Sequence, residues 1–218
     1  MKPMNNVQNI IIIDPLIMIP LIKYIDVNKN SKKKDVQNEL KVEPDKETKI
    51  GYDYYEHLIK SAEDNTVFLI SDFLKLEVLE LLNNDHPVSK QSTFETWKDY
   101  IAELQEENIL IHSMETYQDD AFKDILGKYI PWCFSNLKMD YQEHYLYSGA
   151  LMYQASEILV DEPELSEKIN SIRTKSDETY KKIATKLLEL TKLEKRDQLP
   201  SAKCFRFDYR NSEYVTKN

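Results

Sequence analysis

Four consecutive isoleucines precede an aspartate at residues 10–14, in the most apolar stretch of an otherwise polar chain. β-Branched residues favour extended backbone, and a strand without a polar face must be covered on both sides, as strands are inside a parallel sheet. Asp14 would then lie at the C-terminal end of this strand. Because ligands bind at that rim of open α/β sheets, Asp14 is the first candidate functional residue.

Further strand-like runs alternate with segments of helical apolar spacing. The strand-like runs lie at residues 67–70, 109–112, 157–160 and 202–209. Regular alternation of strand and helix is typical of parallel pairing. It predicts a fold of the α/β class, an α/β/α sandwich with a central parallel sheet and helices on both faces. The isoleucine strand should lie in the middle, between the runs at 67–70 and 157–160.

Composition narrows the expected cellular compartment and the kinds of partner that the protein can bind. The two cysteines form neither a disulfide framework nor a zinc pair, which favours a reducing, cytoplasmic compartment. Residues 10–22 are too short to span a bilayer and contain an aspartate and two prolines, so we expect no membrane anchor. A net charge of -9 gives no global attraction to nucleic acid, and three glycines leave no glycine-rich phosphate loop.

Two polar segments stand apart from the alternating pattern. Residues 26–49 are lysine-rich and aperiodic, which predicts a mobile loop. Residues 165–196 predict one long charged helix. Both segments carry lysines that RNA could contact, but the helix also carries acids, and a solvated mixed-charge face is the simpler interpretation. We expect one domain over residues 1–218 with these two segments as insertions.

Three blocks of the sequence resemble those of the PIN-domain nucleases, the family of the VapC-type toxins. They are IIIID at 10–14, SDFLKLEVL at 71–79, and the stretch 144–165. The second block is the most specific, because it resembles the family's S-P-L-x-x-L-E-V-L helix. The resemblance implies a PIN-like fold and a metal-dependent ribonuclease with Mg²⁺ or Mn²⁺ as cofactor and RNA as substrate. An antitoxin, another protein or a second copy of the chain are candidate partners.

The resemblance implies Asp14 and Glu77 as catalytic residues and metal ligands. Hydrolysis of a phosphodiester with a divalent metal needs hard oxygen ligands that converge on the ion, which activates water and stabilises charge on the phosphate. Carboxylates at the rim of a parallel sheet would supply these ligands. The alternatives are ordinary ones, since an aspartate at a strand end commonly caps a helix and a glutamate on an amphipathic helix is commonly solvated.

The sequence departs from the family at the third and fourth acids. His144 stands where the third carboxylate is expected, one turn after Asp140 on the same predicted helical face. Either could be a ligand, and a histidine would favour Mn²⁺ over Mg²⁺, although a histidine that caps a helix or bonds to a neighbour is the alternative. Asp161 stands where Thr or Ser is usual and Pro163 where the last acid is usual, so Asp161 or Glu162 would complete the site.

Two functions therefore follow from the sequence. The first is a metal-dependent endoribonuclease, toxin-like or RNA-processing. The second is a PIN-like module that has lost catalysis and acts in protein or RNA binding and assembly. Tyrosines crowd the predicted helix before the fourth strand, which favours packing against the sheet or a second subunit over base stacking. They are Tyr141, Tyr145, Tyr147 and Tyr153.

Overall fold

A computed structural model describes residues 9–34, 45–74, 90–117 and 130–206, and the structural statements below concern these residues. The strands are β1 Asn9–Ile13, β2 Thr66–Ile70, β3 Leu110–Ser113, β4 Glu157–Leu159 and β5 Ser201–Lys203. The α-helices are α1 Met18–Lys34, α2 Lys46–Glu63, α3 Lys90–Glu106, α4 Met114–Tyr117, α5 Ile130–Asn136, α6 Tyr141–Met152, α7 Pro163–Thr174 and α8 Glu178–Thr191. Short 3₁₀ helices lie at Pro15–Ile17 and Arg196–Gln198.

The sheet is parallel throughout, with the strand order β3-β2-β1-β4-β5. The isoleucine strand β1 lies between β2 and β4, and Ile13 is opposite both Ile70 and Leu159. This confirms the central position that its lack of a polar face predicts. Of the strand predicted at 202–209, the structure shows β5 at Ser201–Lys203 and no strand at residues 204–206, while residues 207–209 lie outside the described part of the chain.

Helices cover both faces of the sheet. Successive side chains of a strand point to opposite faces, so Ile12 contributes to one core while Ile11 and Ile13 contribute to the other. The first core contains buried residues of α6 and α7, and the second contains buried residues of α1, α2 and α3. The predicted α/β/α sandwich is therefore confirmed. In the described part of the chain, no helix combines the length and apolar character needed to cross a bilayer.

The prediction of a mobile loop at residues 26–49 is wrong for the part of that segment that the structure describes, because this part is mostly helical. Helix α1 continues to Lys34, and α2 begins at Lys46 after Asp45, whose side chain accepts a hydrogen bond from the Thr48 amide at 2.7 Å. Thr48 and Ile50 are buried in the first turns of α2. Lysine has a good intrinsic helix propensity, so a lysine-rich composition does not exclude a helix, and composition alone misled the prediction. Residues 35–44 lie outside the described part of the chain.

The single long helix expected at residues 165–196 is also wrong. The segment forms two helices, α7 and α8, with extended backbone at Lys175 between them. Asp177 accepts hydrogen bonds from the Thr179 and Tyr180 amides, at 3.0 and 3.1 Å, and so caps a new helix. The prediction of one long helix failed because it did not recognise Asp177 as a cap that starts a second helix.

Gly51 provides a test of how tightly α1 and α2 pack. A Cβ atom at Gly51 would lie 2.0 Å from the Pro20 carbonyl oxygen, whereas one at Gly149 would meet the flexible Met114 thioether at 2.3 Å. We expect Gly51→Ala to lower the free energy of unfolding by about 1–3 kcal/mol, despite the better helix propensity of alanine, because backbone cannot move aside. Gly149→Ala should cost less, since Met114 can change rotamer. Urea unfolding measures both, and equal losses would contradict this account of the packing.

Candidate functional site

Asp14 lies at the point where the order of the strands reverses. From β1 the chain adds β2 and β3 on one side of the sheet, and later β4 and β5 on the other. The crevice at the carboxyl ends of β1 and β4 is therefore the topological switch point, where open α/β sheets bind ligands. Asp14 follows β1 directly, and its amide donates to the Leu159 carbonyl at 2.8 Å. The Asp161 amide lies 3.5 Å from Asp14 Oδ2, so the structure brings these two predicted site residues together.

The Asp14 carboxyl group is held in a buried position. Its side chain is 4 % exposed, and Oδ1 accepts a hydrogen bond from the Leu16 amide at 3.0 Å, which caps the 3₁₀ helix at residues 15–17. The pKa of Asp14 is raised to about 7, mainly by burial. The nearby charges of Asp161 and Glu162 contribute to this rise, and the hydrogen bonds from the Leu16 and Asp161 amides oppose it. Asp14 is thus both a helix cap, as the alternative interpretation expects, and a carboxyl group in an unfavourable environment for its charge.

Asp161 pairs with an arginine that the sequence analysis missed. Its Oδ2 lies 2.7 Å from Nη2 of Arg206, whose guanidinium also binds Glu47 with an Nη2–Oε2 distance of 3.0 Å. Within the described residues Oδ1 of Asp161 is buried and accepts no hydrogen bond. The Tyr54 hydroxyl donates to the Val160 carbonyl, at 2.5 Å. Burial raises the pKa of Asp161 above its usual value, although Arg206 opposes this rise.

Glu162 is an exposed carboxylate at the start of α7. It precedes Pro163 and makes no capping hydrogen bond with its side chain. Burial of part of the side chain raises its pKa, and repulsion from Glu143 and Asp140 adds to the rise. The charges of α6 and α7 therefore meet next to the Asp14–Asp161 pair. Whether these acids bind a metal stays a prediction.

Asp140 and His144 take structural positions at the start of α6. The Asp140 side chain accepts hydrogen bonds from the Gln142 and Glu143 amides, both at 2.9 Å, and Glu143 completes a capping box. His144 is buried, and its Nδ1 contacts the Asp140 carbonyl oxygen. This contact matches the alternative in which the histidine bonds to a neighbour. Glu77 lies outside the described residues, and within those that are described no group of three or more His, Cys, Asp or Glu side chains is placed to hold a metal ion.

Glu115 is a further member of this rim that the sequence analysis missed. At the ends of β2 and β3, its carboxylate accepts hydrogen bonds from the Ser71 hydroxyl at 2.5 Å and from the Asp72 amide at 2.9 Å. The Phe73 amide, the Ser113 hydroxyl and the Tyr145 hydroxyl donate to it as well. Burial alone would raise the pKa of Glu115, but these hydrogen bonds outweigh it and hold the pKa below its usual value. Only its place after a predicted strand could have indicated this role.

Neither a family model nor a curated protein nor a solved structure matches this chain. The resemblance to PIN nucleases therefore depends on the sequence blocks alone.

Proposed function

We propose that the protein is a divalent-metal-dependent endoribonuclease of the PIN type, toxin-like or RNA-processing. The observation that carries the proposal is the convergence of Asp14 and Asp161 at the switch point of a parallel sheet. Two carboxyl groups near each other in a partly buried crevice repel one another, which is unfavourable for the fold unless a cation compensates. The order of the sequence blocks that resemble the family adds independent support.

The donor atoms fit a hard divalent cation. Oδ1 of Asp161 is a buried oxygen that accepts no hydrogen bond in the described structure, and Oδ2 of Asp14 has only a long contact to the Asp161 amide, at 3.5 Å. Carboxylate oxygens are the ligands that Mg²⁺ and Mn²⁺ prefer, and Glu162 and Glu77 are the next candidates. A bound ion would supply an activated water and charge stabilisation at the phosphate. Arg206 would offset part of the remaining negative charge.

The second candidate function is a PIN-like module without catalysis, acting in protein or RNA binding and assembly. Specific contacts favour it. The Asp140 carboxylate caps α6, His144 is buried against the backbone, and Arg206 already neutralises Asp161. Such a module would hold its acids in ion pairs and helix caps, and it would show no response to metal.

Thermal unfolding with and without millimolar Mn²⁺ distinguishes the two functions. We expect Mn²⁺ to stabilise the parent, because a ligand that binds only the folded state at about 100 times its Kd adds about 2.7 kcal/mol. Asp14→Asn and Asp161→Asn should remove this gain together with cleavage of single-stranded RNA. Asp177→Asn changes an exposed helix cap away from the site, and this variant should keep both the stability gain and the RNA cleavage.

The outcomes separate clearly. A parent that gains no stability from Mn²⁺ or Mg²⁺ and cleaves no single-stranded RNA would reject the nuclease in favour of the binding module. If Asp177→Asn reduced the stabilisation by Mn²⁺ and the RNA cleavage as much as Asp14→Asn does, both losses would come from a weakened helix cap and not from a metal site. A gain with Mn²⁺ that is greater than the gain with Mg²⁺ would point to a nitrogen ligand, as the prediction for His144 requires.

A further inference from the structure

Asn170 of α7 binds both main-chain groups that the edge strand β5 turns away from the sheet. In the described sheet β5 pairs with β4 alone, and alternate residues of a strand turn their N–H and C=O groups to opposite sides. The Ser201 amide and the Lys203 carbonyl are bonded to the β4 side, at 3.0 Å each. The groups of Ala202 are therefore turned outward. Asn170 Oδ1 accepts from the Ala202 amide at 2.9 Å, and Nδ2 donates to the Ala202 carbonyl at 2.8 Å.

The Asn170 carboxamide takes the place of a peptide group in a neighbouring strand. In an antiparallel pair, two opposite residues exchange both of their N–H···O=C bonds. Asn170 provides the same acceptor and the same donor from one side chain. Pro200, two residues before Ala202, would also turn its nitrogen outward, but proline has no N–H. At residues 200–202 the outer edge of β5 therefore offers no free N–H to another strand.

The position of Asn170 is fixed by the packing of α7. Its neighbours Ile169 and Ile172 are buried in the core. One turn earlier, the Ser166 hydroxyl lies 3.4 Å from Asn170 Nδ2 and 3.4 Å from the Ala202 carbonyl oxygen. The residue type is also selected, because a carboxamide carries a donor and an acceptor side by side, whereas a carboxylate has no donor for the carbonyl.

A groove runs along this edge and leaves room for another backbone. It lies between α7 and β5 and has a volume of about 540 Å³. Small polar side chains line much of it, among them Ser166, Ser171 and Thr174. Because these side chains are small, the two hydrogen bonds of Asn170, and not bulk, close the edge of β5.

We propose that Asn170 closes the edge of β5 against a second copy of the chain, and that without Asn170 two copies join through β5 into one continuous sheet. The edge is self-complementary. A two-fold axis at Ala202 would set the Ala202 residues of two copies opposite one another, where they exchange the two bonds that Asn170 now makes. In this register Ser201 of each copy is opposite Lys203 of the other, so like charges do not meet. The inference goes beyond the proposed function and does not depend on it.

Sedimentation of the parent and of Asn170→Ala over a range of protein concentrations tests the inference. We expect the variant to self-associate about 10- to 100-fold more tightly than the parent, because two hydrogen bonds between copies become available. The buffer should contain salt, since a net charge of -9 on each copy opposes association. Asn136→Ala is the matched control and should associate as the parent does. Asn136 also donates to a main-chain carbonyl, that of Trp132 at 2.9 Å, but within α5.

Ala202→Pro in the Asn170→Ala background locates the association. Proline removes the outward N–H of residue 202 and leaves the bonds of Ser201 and Lys203 to β4 in place, so the double variant should return to the association of the parent. Hydrogen exchange of the Ala202 amide gives a second readout. We expect slow exchange in the parent, fast exchange in dilute Asn170→Ala, and slow exchange again when that variant is concentrated.

The opposite results would overturn the inference. Association of Asn170→Ala that survives Ala202→Pro, or that Asn136→Ala shows equally, would belong to another surface. A folded Asn170→Ala that sediments as the parent does at every concentration would show that the edge does not pair with a second copy. Fast exchange of the Ala202 amide in the dilute parent would show that Asn170 does not close the edge, and this measurement requires no variant to fold.

Discussion

Asp14→Asn is expected to stabilise the metal-free protein at pH 8 by about 3 kcal/mol more than it does at pH 5. The pKa of Asp14 is raised by burial from the ordinary value of 3.8 to about 7. The folded protein therefore keeps a proton that the unfolded chain has lost, and its stability falls as the pH rises through this interval. One pKa unit corresponds to about 1.4 kcal/mol, so full ionisation in place costs about 4 kcal/mol. Asparagine carries no charge at any pH and keeps an oxygen for the Leu16 amide.

Urea unfolding of the parent and the variant across this pH range measures the effect. The difference between their free energies of unfolding isolates Asp14, because the remaining acids titrate in both proteins. Asp177→Asn makes the same chemical change at an exposed helix cap and serves as the control. Parallel pH profiles for the parent and Asp14→Asn would show that the Asp14 carboxylate is solvated. A bound divalent ion should reverse the order at pH 8, because it stabilises the charged carboxylate in the parent alone.

The position of Asp14 at the carboxyl edge of the sheet could be predicted from sequence, because it depends on the residue types of one short segment. A run of β-branched residues without a polar face belongs at the centre of a parallel sheet, and the aspartate that ends it must lie at the carboxyl edge. Asp161 was predicted through the resemblance to the PIN family, and the structure places it just after β4. Strand order then decided that Asp14 and Asp161 meet, because β1 and β4 are neighbours.

What the sequence could not predict depends on contacts between distant segments. Arg206 reaches Asp161 and Glu47 from the end of the described chain, and no local pattern distinguishes it from a solvated arginine. Asp140 and His144 differ from Arg206, because their contacts are local to the start of α6: a capping box that includes Glu143, and a contact from His144 Nδ1 to the Asp140 carbonyl oxygen. The partners of Arg206 are therefore set by the fold, whereas a capping box follows from local sequence, and a ligand role for Asp140 or His144 stays a prediction.

Glu115 gives the second large expected effect. Glu115→Met should lower the free energy of unfolding by about 3–5 kcal/mol, because it leaves five donors at the ends of β2 and β3 without their acceptor. The donors are the amides of Asp72 and Phe73 and the hydroxyls of Ser71, Ser113 and Tyr145. Glu115→Gln keeps one oxygen and should cost less. Hydroxyls can rotate to accept from its amide group, but a backbone N–H cannot. Glu106→Met is the control, since Glu106 is exposed near the end of α3.

The pH dependence of this loss has the opposite sign to that of Asp14. The pKa of Glu115 in the folded protein is held below its ordinary value of 4.5, so its stabilising contribution is complete well above 4.5 and is lost as the pH falls below 4.5 and through the lowered pKa of the folded state. The deficit of Glu115→Met relative to the parent should therefore shrink in acid, while that of the Glu106 control stays small throughout. Urea unfolding at pH 7 and below pH 4.5 measures both. A deficit at pH 7 no larger than the control's would mean that water satisfies the five donors.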